Sequence, residues 1–138
     1  MISADELWQF SEQHYSRPGV AAACLELQDD YGANVNLLLL LLLLEEQGQT
    51  TELAPFMPLL ESRRGMFAHW RSLRRRLKPE LGADDYAQLL QHELELERWQ
   101  QEELLTVLTA VPGSGALLAY LNTLQVDNAH LWQLKLAG

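Results

Sequence analysis

The sequence predicts an all-α protein, a compact bundle of six to seven helices around a buried leucine-rich helix. Strand patterns are almost absent, since no run alternates Val, Ile or Thr with polar residues and the composition is rich in Leu, Ala, Glu and Gln. Glycine, proline and short polar side chains recur at spacings that start and stop helices. Eight consecutive leucines, Leu37–Leu44, predict one helix that is apolar on every side.

Length and composition indicate a single domain over residues 1–138. A chain of this size buries roughly 68–70% of its unfolded surface, so it can fold without a metal or disulfide staple. The hydrophobic content of 48% excludes intrinsic disorder. The single cysteine, Cys24, excludes an internal disulfide framework and zinc sites built on several thiolates, and its apolar neighbours predict a small core residue.

Capping signals define the first three predicted helices. Ser3 caps the first, with Glu6 at the capping-box position, and Asn34 caps the third. Pro18 suits the start of the second helix because its missing N–H has no helical partner there. Gly32 can take the left-handed conformation that ends a helix. These signals bound helices that run to His14, over Val20–Tyr31, and through the leucines to a stop at Gly48.

Proline and glycine divide the second half of the chain in the same way. Pro55 fits a first turn, whereas Pro58 would remove a backbone hydrogen bond inside a longer helix and therefore predicts a kink or restart. Two long helices follow, and their short connection makes them antiparallel neighbours. Pro112–Gly115 predicts a linker before two short helices, with Asp127 as the cap candidate between them. The predicted bounds are about Leu60–Lys78, Ala83–Val111, Ala116–Val126 and Asn128–Leu136.

The leucine run is too short to cross a membrane. At about 1.5 Å per residue, Val35–Leu44 covers only about half of a ~30 Å hydrocarbon core. Glu45 and Glu46 close it. The first ten residues contain acids and lack the basic and apolar regions of a signal peptide. We therefore expect a buried central helix, no membrane contact and a cytoplasmic location.

One segment is strongly basic although the chain as a whole is acidic. Seven of the ten Lys and Arg residues lie in Arg63–Lys78, which contains no Asp or Glu and so carries +7 in a chain of net charge −9. On a helical wheel, an apolar stripe expected to pack inward comprises Met66, Trp70, Leu73 and Leu77. The face expected to point outward and to bind a partner or an anion comprises Arg64, Arg71, Arg74, Arg75 and Lys78.

Three interpretations of this basic face stay open. It can pair with acids of the following helix, which are Glu93, Glu95, Glu97, Glu102 and Glu103. It can dock an acidic protein partner. It can bind a nucleic acid or another phosphate ligand weakly, although the acidic balance argues against general nucleic-acid binding.

Two pairs of carboxylates have i,i+4 spacing and share a helix face: Glu26 with Asp30, and Glu93 with Glu97. Such pairs allow an alternative, a helical enzyme that depends on a metal or phosphate ligand. However, Glu-x-x-His never occurs, and the chain has no G-x-S-x-G, P-loop or G-x-G-x-x-G motif. We therefore assign no catalytic residue, metal ligand or cofactor, and favour a non-enzymatic protein.

Two blocks of the sequence resemble an uncharacterised proteobacterial family of small all-helical proteins, a conserved domain of unknown function. The first block comprises Tyr15–Val20, Ala23–Leu25, Leu27–Asp29, Gly32 and Val35–Leu39. The second comprises Trp70-Arg71, Leu73–Arg75, Leu77-Lys78, Glu93–Glu95 and Glu97-Arg98. The resemblance implies a cytosolic bacterial protein without an established activity, so it transfers no catalytic residue.

Gln28, Asp29 and Asn36 bracket the turn around Gly32. We expect these side chains to satisfy helix ends and turn amides, or alternatively to form a polar patch at one end of the bundle. Taken together, the sequence favours an interaction or adaptor protein that docks an acidic partner through its basic helix. Four tryptophans and the excess of leucine leave room for a homodimer.

Overall fold

The structure, a computed structural model that describes residues 1–138, confirms the all-α class. Besides the helices it contains a 3-10 turn, Ala54–Phe56, and one pair of two-residue strands, β1 (Gln49–Thr50) and β2 (Val111–Pro112). The seven α-helices are α1 (Ala4–Tyr15), α2 (Val20–Tyr31), α3 (Val35–Glu46), α4 (Met57–Leu77), α5 (Ala83–Thr106), α6 (Ala116–Thr123) and α7 (Ala129–Ala137).

The caps predicted at Ser3, Gly32 and Asn34 are confirmed, but the Glu6 side chain does not complete the capping box, because its Oε2 accepts from the Gln47 Nε2 at 2.8 Å. The Ser3 Oγ accepts a hydrogen bond from the backbone N–H of Glu6 at 3.1 Å. The Asn34 Oδ1 accepts one from the N–H of Leu37 at 2.9 Å. Gly32 ends α2 with φ of 72°, in the left-handed region that glycine tolerates best. Local side-chain chemistry therefore defines these helix ends.

The proline prediction for the middle of the chain also holds. The backbone restarts beside Pro58, because the 3-10 turn ends at Phe56 and α4 begins at Met57. Pro58 consequently lies in the first turn of α4, where no helical hydrogen bond is lost.

Three predicted boundaries in the second half were wrong. Helix α6 ends at Thr123 and not at Val126. Helix α5 ends at Thr106 and not near Val111, because Val111 pairs with Thr50 in the antiparallel β1–β2 ladder. Asp127 does not cap α7. Asn128 occupies that position with φ of 57° and makes no side-chain capping hydrogen bond.

Helix α3 forms the centre of the hydrophobic core. Every leucine from Leu37 to Leu44 is buried, as predicted. Helices α1, α2, α5 and α6 and strand β1 surround it, and the core extends from Ile2 to Leu136. None of the seven helices combines the length and the apolar character needed to cross a bilayer.

Helices α4 and α5 extend beyond this core as an antiparallel hairpin. At 1.5 Å per residue they measure about 31 and 36 Å, against about 18 Å for α3. No residue between Glu61 and Glu103 belongs to the hydrophobic core. Much of the hairpin therefore packs only against itself and the rim of the bundle.

This extension corrects the predicted orientation of α4. Met66 and Leu73, expected to pack inward, are 41% and 36% exposed, and Trp70 and Leu77 are only half-buried. The buried residues of α4 are instead Leu60 and Phe67. The wheel identified the residues that share a face, but this face lies beyond the hydrophobic core and is only partly covered.

We predict that replacing Leu41 with alanine lowers the free energy of unfolding by about 2–5 kcal/mol, because it leaves a cavity in a fully buried helix. Urea denaturation measures this loss. Leu134→Ala is the matched control: Leu134 is 71% exposed, so its truncation is expected to change stability by less than about 0.5 kcal/mol. Equal effects of the two changes would contradict the central position of α3.

Candidate functional site

A cleft of about 970 Å³ lies where the α4–α5 hairpin faces α1 and the turn between α2 and α3. Helices α1 to α5 and the turn between α2 and α3 contribute most of its lining, and α6 adds one residue, Tyr120. The volume is at the upper end of the range of about 300–1,000 Å³ that ligand pockets occupy. The cleft therefore has room for several side chains of an occupant.

One wall of the cleft is cationic. It is formed by Arg64, Arg71, Arg74 and Arg75 of α4, which the sequence predicted to lie on a face turned away from the protein. Arg64 and Arg75 are exposed, as that orientation predicts, whereas Arg71 and Arg74 are half-buried, and the face they share lines a concavity. Lys78, the fifth predicted residue, lies outside the lining, with its Nζ 5.7 Å from the ring centroid of Tyr86.

Some of the basic residues of α4 are neutralised by acids of α5. The Arg63 Nη2 lies 3.0 Å from the Glu103 Oε2, and the Arg74 Nε lies 2.8 Å from the Glu93 Oε2. These pairs confirm that the two helices are antiparallel and that α5 partly compensates the basic face. Two of the predicted acids, Glu93 and Glu103, thus have structural partners.

The remaining guanidinium groups of the wall are free of such pairs. Arg71 and Arg75 have no carboxylate oxygen within 4 Å, and Arg64 has only the exposed Glu61 at 3.7 Å. An exposed pair of this kind is worth little. Three guanidinium groups therefore remain available to an occupant of the cleft.

The floor of the cleft is a buried network of amides. Asn36 and Gln100 are only 4% and 3% exposed. The Asn36 Nδ2 donates hydrogen bonds to the Gln100 Oε1 at 2.8 Å and to the Glu97 Oε2 at 2.7 Å. Behind them, the Gln101 Nε2 donates to the Asn36 Oδ1 at 3.2 Å and to the Ser11 Oγ at 2.9 Å. The network joins α1, α3 and α5.

Asn34 extends the network to the turn between α2 and α3. Its Oδ1 caps α3, its Nδ2 donates to the Gln100 Oε1 at 3.2 Å, and its backbone N–H donates to the Tyr120 hydroxyl at 2.9 Å. One side chain therefore begins the central helix and also positions the floor.

Glu97 is the ionisable group of the floor. Burial raises the pKa of the Glu97 carboxyl, whereas the hydrogen bond from Asn36 lowers it. The charge of Glu93 raises the pKa further, and that of Arg71 lowers it. Because the net shift is upward, the protein holds the negative charge of Glu97 less readily than water does.

Two tyrosines add hydroxyl groups to the same cleft, Tyr15 from α1 and Tyr120 from α6. Burial raises the pKa of both, so each hydroxyl stays neutral. A neutral phenol can donate as well as accept a hydrogen bond. The lining thus offers neutral donors beside the guanidinium groups.

The predicted polar turn patch becomes part of this site. Gln28 and Asp29 line the cleft, as does Asn36. Asn36 does not satisfy a turn amide as expected, because its side chain bonds α5 instead. Gln100 was not among the predicted site residues, because its only signal in the sequence is an uncharged polar side chain close to the apolar end of α5.

The four paired carboxylates do not come together. Glu93 and Glu97 line the cleft, whereas Glu26 and Asp30 are exposed and outside its lining. No group of three or more His, Cys, Asp or Glu side chains is arranged to hold a metal ion. Cys24 is buried, as predicted, and burial raises the pKa of its thiol to about 12. Its thiolate form is therefore suppressed at neutral pH.

We predict that Glu97→Gln makes the protein more stable than the wild type at neutral pH. The folded state raises the pKa of Glu97 above its ordinary value of 4.5, so it binds the proton more tightly than the unfolded chain does. Stability from this group is complete below pH 4.5 and is lost as the pH rises through the folded pKa. The advantage of the glutamine variant should therefore disappear in acid.

Urea denaturation across this pH range tests the expectation. Glu102→Gln is the control, because Glu102 is exposed on the same helix and outside the cleft. A stability gain that is the same for both variants, or that persists below pH 4.5, would argue against a destabilising charge at Glu97.

Comparison with known proteins places the chain in a family. No curated protein and no solved structure matches it. A family model matches residues 6–104, a range that includes the arginine wall and all of the polar floor. Because this match covers more than half of the chain, and agrees with the resemblance in the sequence, the chain belongs to the family described as "Protein of unknown function (DUF2390)".

Proposed function

We propose that the protein is a non-enzymatic docking protein that takes an acidic segment of a partner protein into the cleft. The observation that carries this proposal is the set of guanidinium groups on one wall, those of Arg64, Arg71 and Arg75. Arg71 and Arg75 have no carboxylate oxygen within 4 Å, and Arg64 has only the exposed Glu61 at 3.7 Å. Arginine presents a planar fork of donors that matches a carboxylate. A partner that supplies carboxylates would complete these forks.

The concave position of these arginines strengthens the proposal. Arg71 is half-buried, and the wall faces a cleft lined partly by apolar side chains. Charges interact more strongly in such surroundings than on an open surface, because less water screens them. Each charge-assisted hydrogen bond is then worth about 1.5–3 kcal/mol.

The opposite side of the cleft limits how the segment lies. Glu12 of α1 and Asp29 of α2 are exposed there and form no ion pair within 4 Å. They repel the carboxylates of an occupant, which are thereby directed to the arginines of α4. The cleft is suited to a segment with acids along one edge.

Apolar side chains indicate what the rest of the segment presents. Leu25, Leu90 and Leu94 line the cleft and are exposed. Exposed apolar residues clustered with polar ones are typical of protein interaction sites. We therefore infer a segment that combines Asp or Glu with apolar side chains, and we place this function in the bacterial cytoplasm.

The alternatives receive less support. A nucleic acid carries a negative charge at every nucleotide and would bring some of these charges against Glu12, Asp29 and Glu97, whereas a peptide can keep its acids along one edge. An enzyme built on the four paired carboxylates would need Glu26 and Asp30 in the cleft, and they lie outside it.

A labelled peptide of alternating Glu and Leu tests the proposal by fluorescence anisotropy. We expect it to bind the wild-type protein, with an affinity that falls as salt is added, and a peptide of alternating Ser and Leu not to bind. Arg71→Gln with Arg75→Gln should weaken binding about tenfold or more for each arginine removed.

Arg76→Gln is the matched control, since Arg76 is adjacent in sequence, exposed and outside the lining. It should bind the acidic peptide like the wild type. Binding that does not depend on the Glu side chains, or that the double variant retains, would overturn the proposal.

A further inference from the structure

Gln100 has a donor that the protein does not use. Its Oε1 accepts hydrogen bonds from the Nδ2 groups of both Asn34 and Asn36, which fixes the orientation of the amide. The Nε2 of the same amide has no hydrogen-bond partner within the protein. Gln100 is only 3% exposed and lines the cleft. The Nε2 is not among the side-chain atoms that are both fully buried and unpaired, so it reaches the open space of the cleft. An occupant with an acceptor can therefore take this donor.

Glu97 has an acceptor that is equally unused. Its Oε2 accepts from the Asn36 Nδ2, whereas its Oε1 makes no hydrogen bond within the protein. Glu97 lies three residues before Gln100 on α5, and side chains at this spacing are neighbours on a helix surface. The floor therefore presents one donor and one acceptor side by side.

We infer that this floor binds a primary carboxamide, the side chain of Gln or Asn, carried by the acidic segment. The carboxamide oxygen accepts from the Gln100 Nε2, and its NH₂ group donates to the Glu97 Oε1. The inference rests on the proposed function, and it adds a specificity determinant to the charge recognition by the arginines.

Other groups fit this pair poorly. A trans peptide bond carries its N–H and C=O on opposite sides, so one peptide group cannot satisfy both residues. A carboxylate would satisfy Gln100 but face the Glu97 Oε1 with a like charge. An apolar side chain would leave both groups without partners. The arrangement thus selects against the very acids that the arginine wall attracts, which confines them to that wall.

Peptides of alternating Glu and Leu, with one Leu at a time replaced by Gln or by Glu, test the inference. Stepping the replacement along the peptide finds the position that reaches the floor. At that position we expect the Gln peptide to bind the wild-type protein about tenfold more tightly than the Glu peptide, as sites built on hydrogen bonds reject analogues that leave them unpaired.

Glu97→Gln should reverse this preference. The amide oxygen of the new glutamine can still accept from the Asn36 Nδ2, and its NH₂ group then points towards the cleft. The floor would then present two donors, a pair that suits a carboxylate. The exposed control Glu102→Gln should keep the wild-type preference. Circular dichroism checks that both variants fold. The comparison of Gln and Glu peptides on the wild-type protein does not depend on either variant.

The outcomes separate the two proposals. If none of the acidic peptides binds, the docking function fails and the carboxamide site fails with it. If they bind but Gln and Glu are equivalent at every position, the carboxamide site is overturned while the docking function stands. Retention of the Gln preference in Glu97→Gln would also overturn the site.

Discussion

The complete burial of α3 is the constraint on which the rest of the structure depends. A helix that is apolar on every side must be covered on every side, and α1, α2, α5 and α6 provide that cover. Asn36 is the one polar residue inside this helix's buried surface, so its amide must find partners in the covering layer. It finds them on α5, which fixes how α5 lies against α3 and places Glu97 and Gln100 together.

The cleft follows from a mismatch in length. The central helix α3 has only 12 residues, whereas α4 has 21 and α5 has 24. Helices of that length cannot pack against α3 over their whole extent. The surplus of α4 and α5 projects past the bundle, and the space beneath it is the cleft. Because the helices are antiparallel, the basic segment of α4 pairs with α5 at Glu93 and Glu103 and leaves the other guanidinium groups facing that space.

Interactions that are local in sequence were predictable, and distant ones were not. Ser3 with Glu6 and Asn34 with Leu37 are three residues apart, so motif reasoning found both caps. The contact between Asn36 and Glu97 spans 61 residues and left no periodic signal. The paired acids and the arginines of the cleft were identified as candidates. The cleft that brings them together was not predicted, because a helical wheel shows which residues share a face and not which other elements that face meets.

The location of the unpaired groups argues that the floor is more than a structural device. A purely structural network gains most when every donor and acceptor is satisfied internally. Here Asn34 and Asn36 are held by several partners, and the Gln101 Oε1 is the unpaired exception on the core side. The spare donor of Gln100 and the spare acceptor of Glu97 both adjoin the cleft. The groups of the network that remain unused by the protein and open to the cleft are therefore the ones that a bound segment can reach, beside the arginines that would attract that segment.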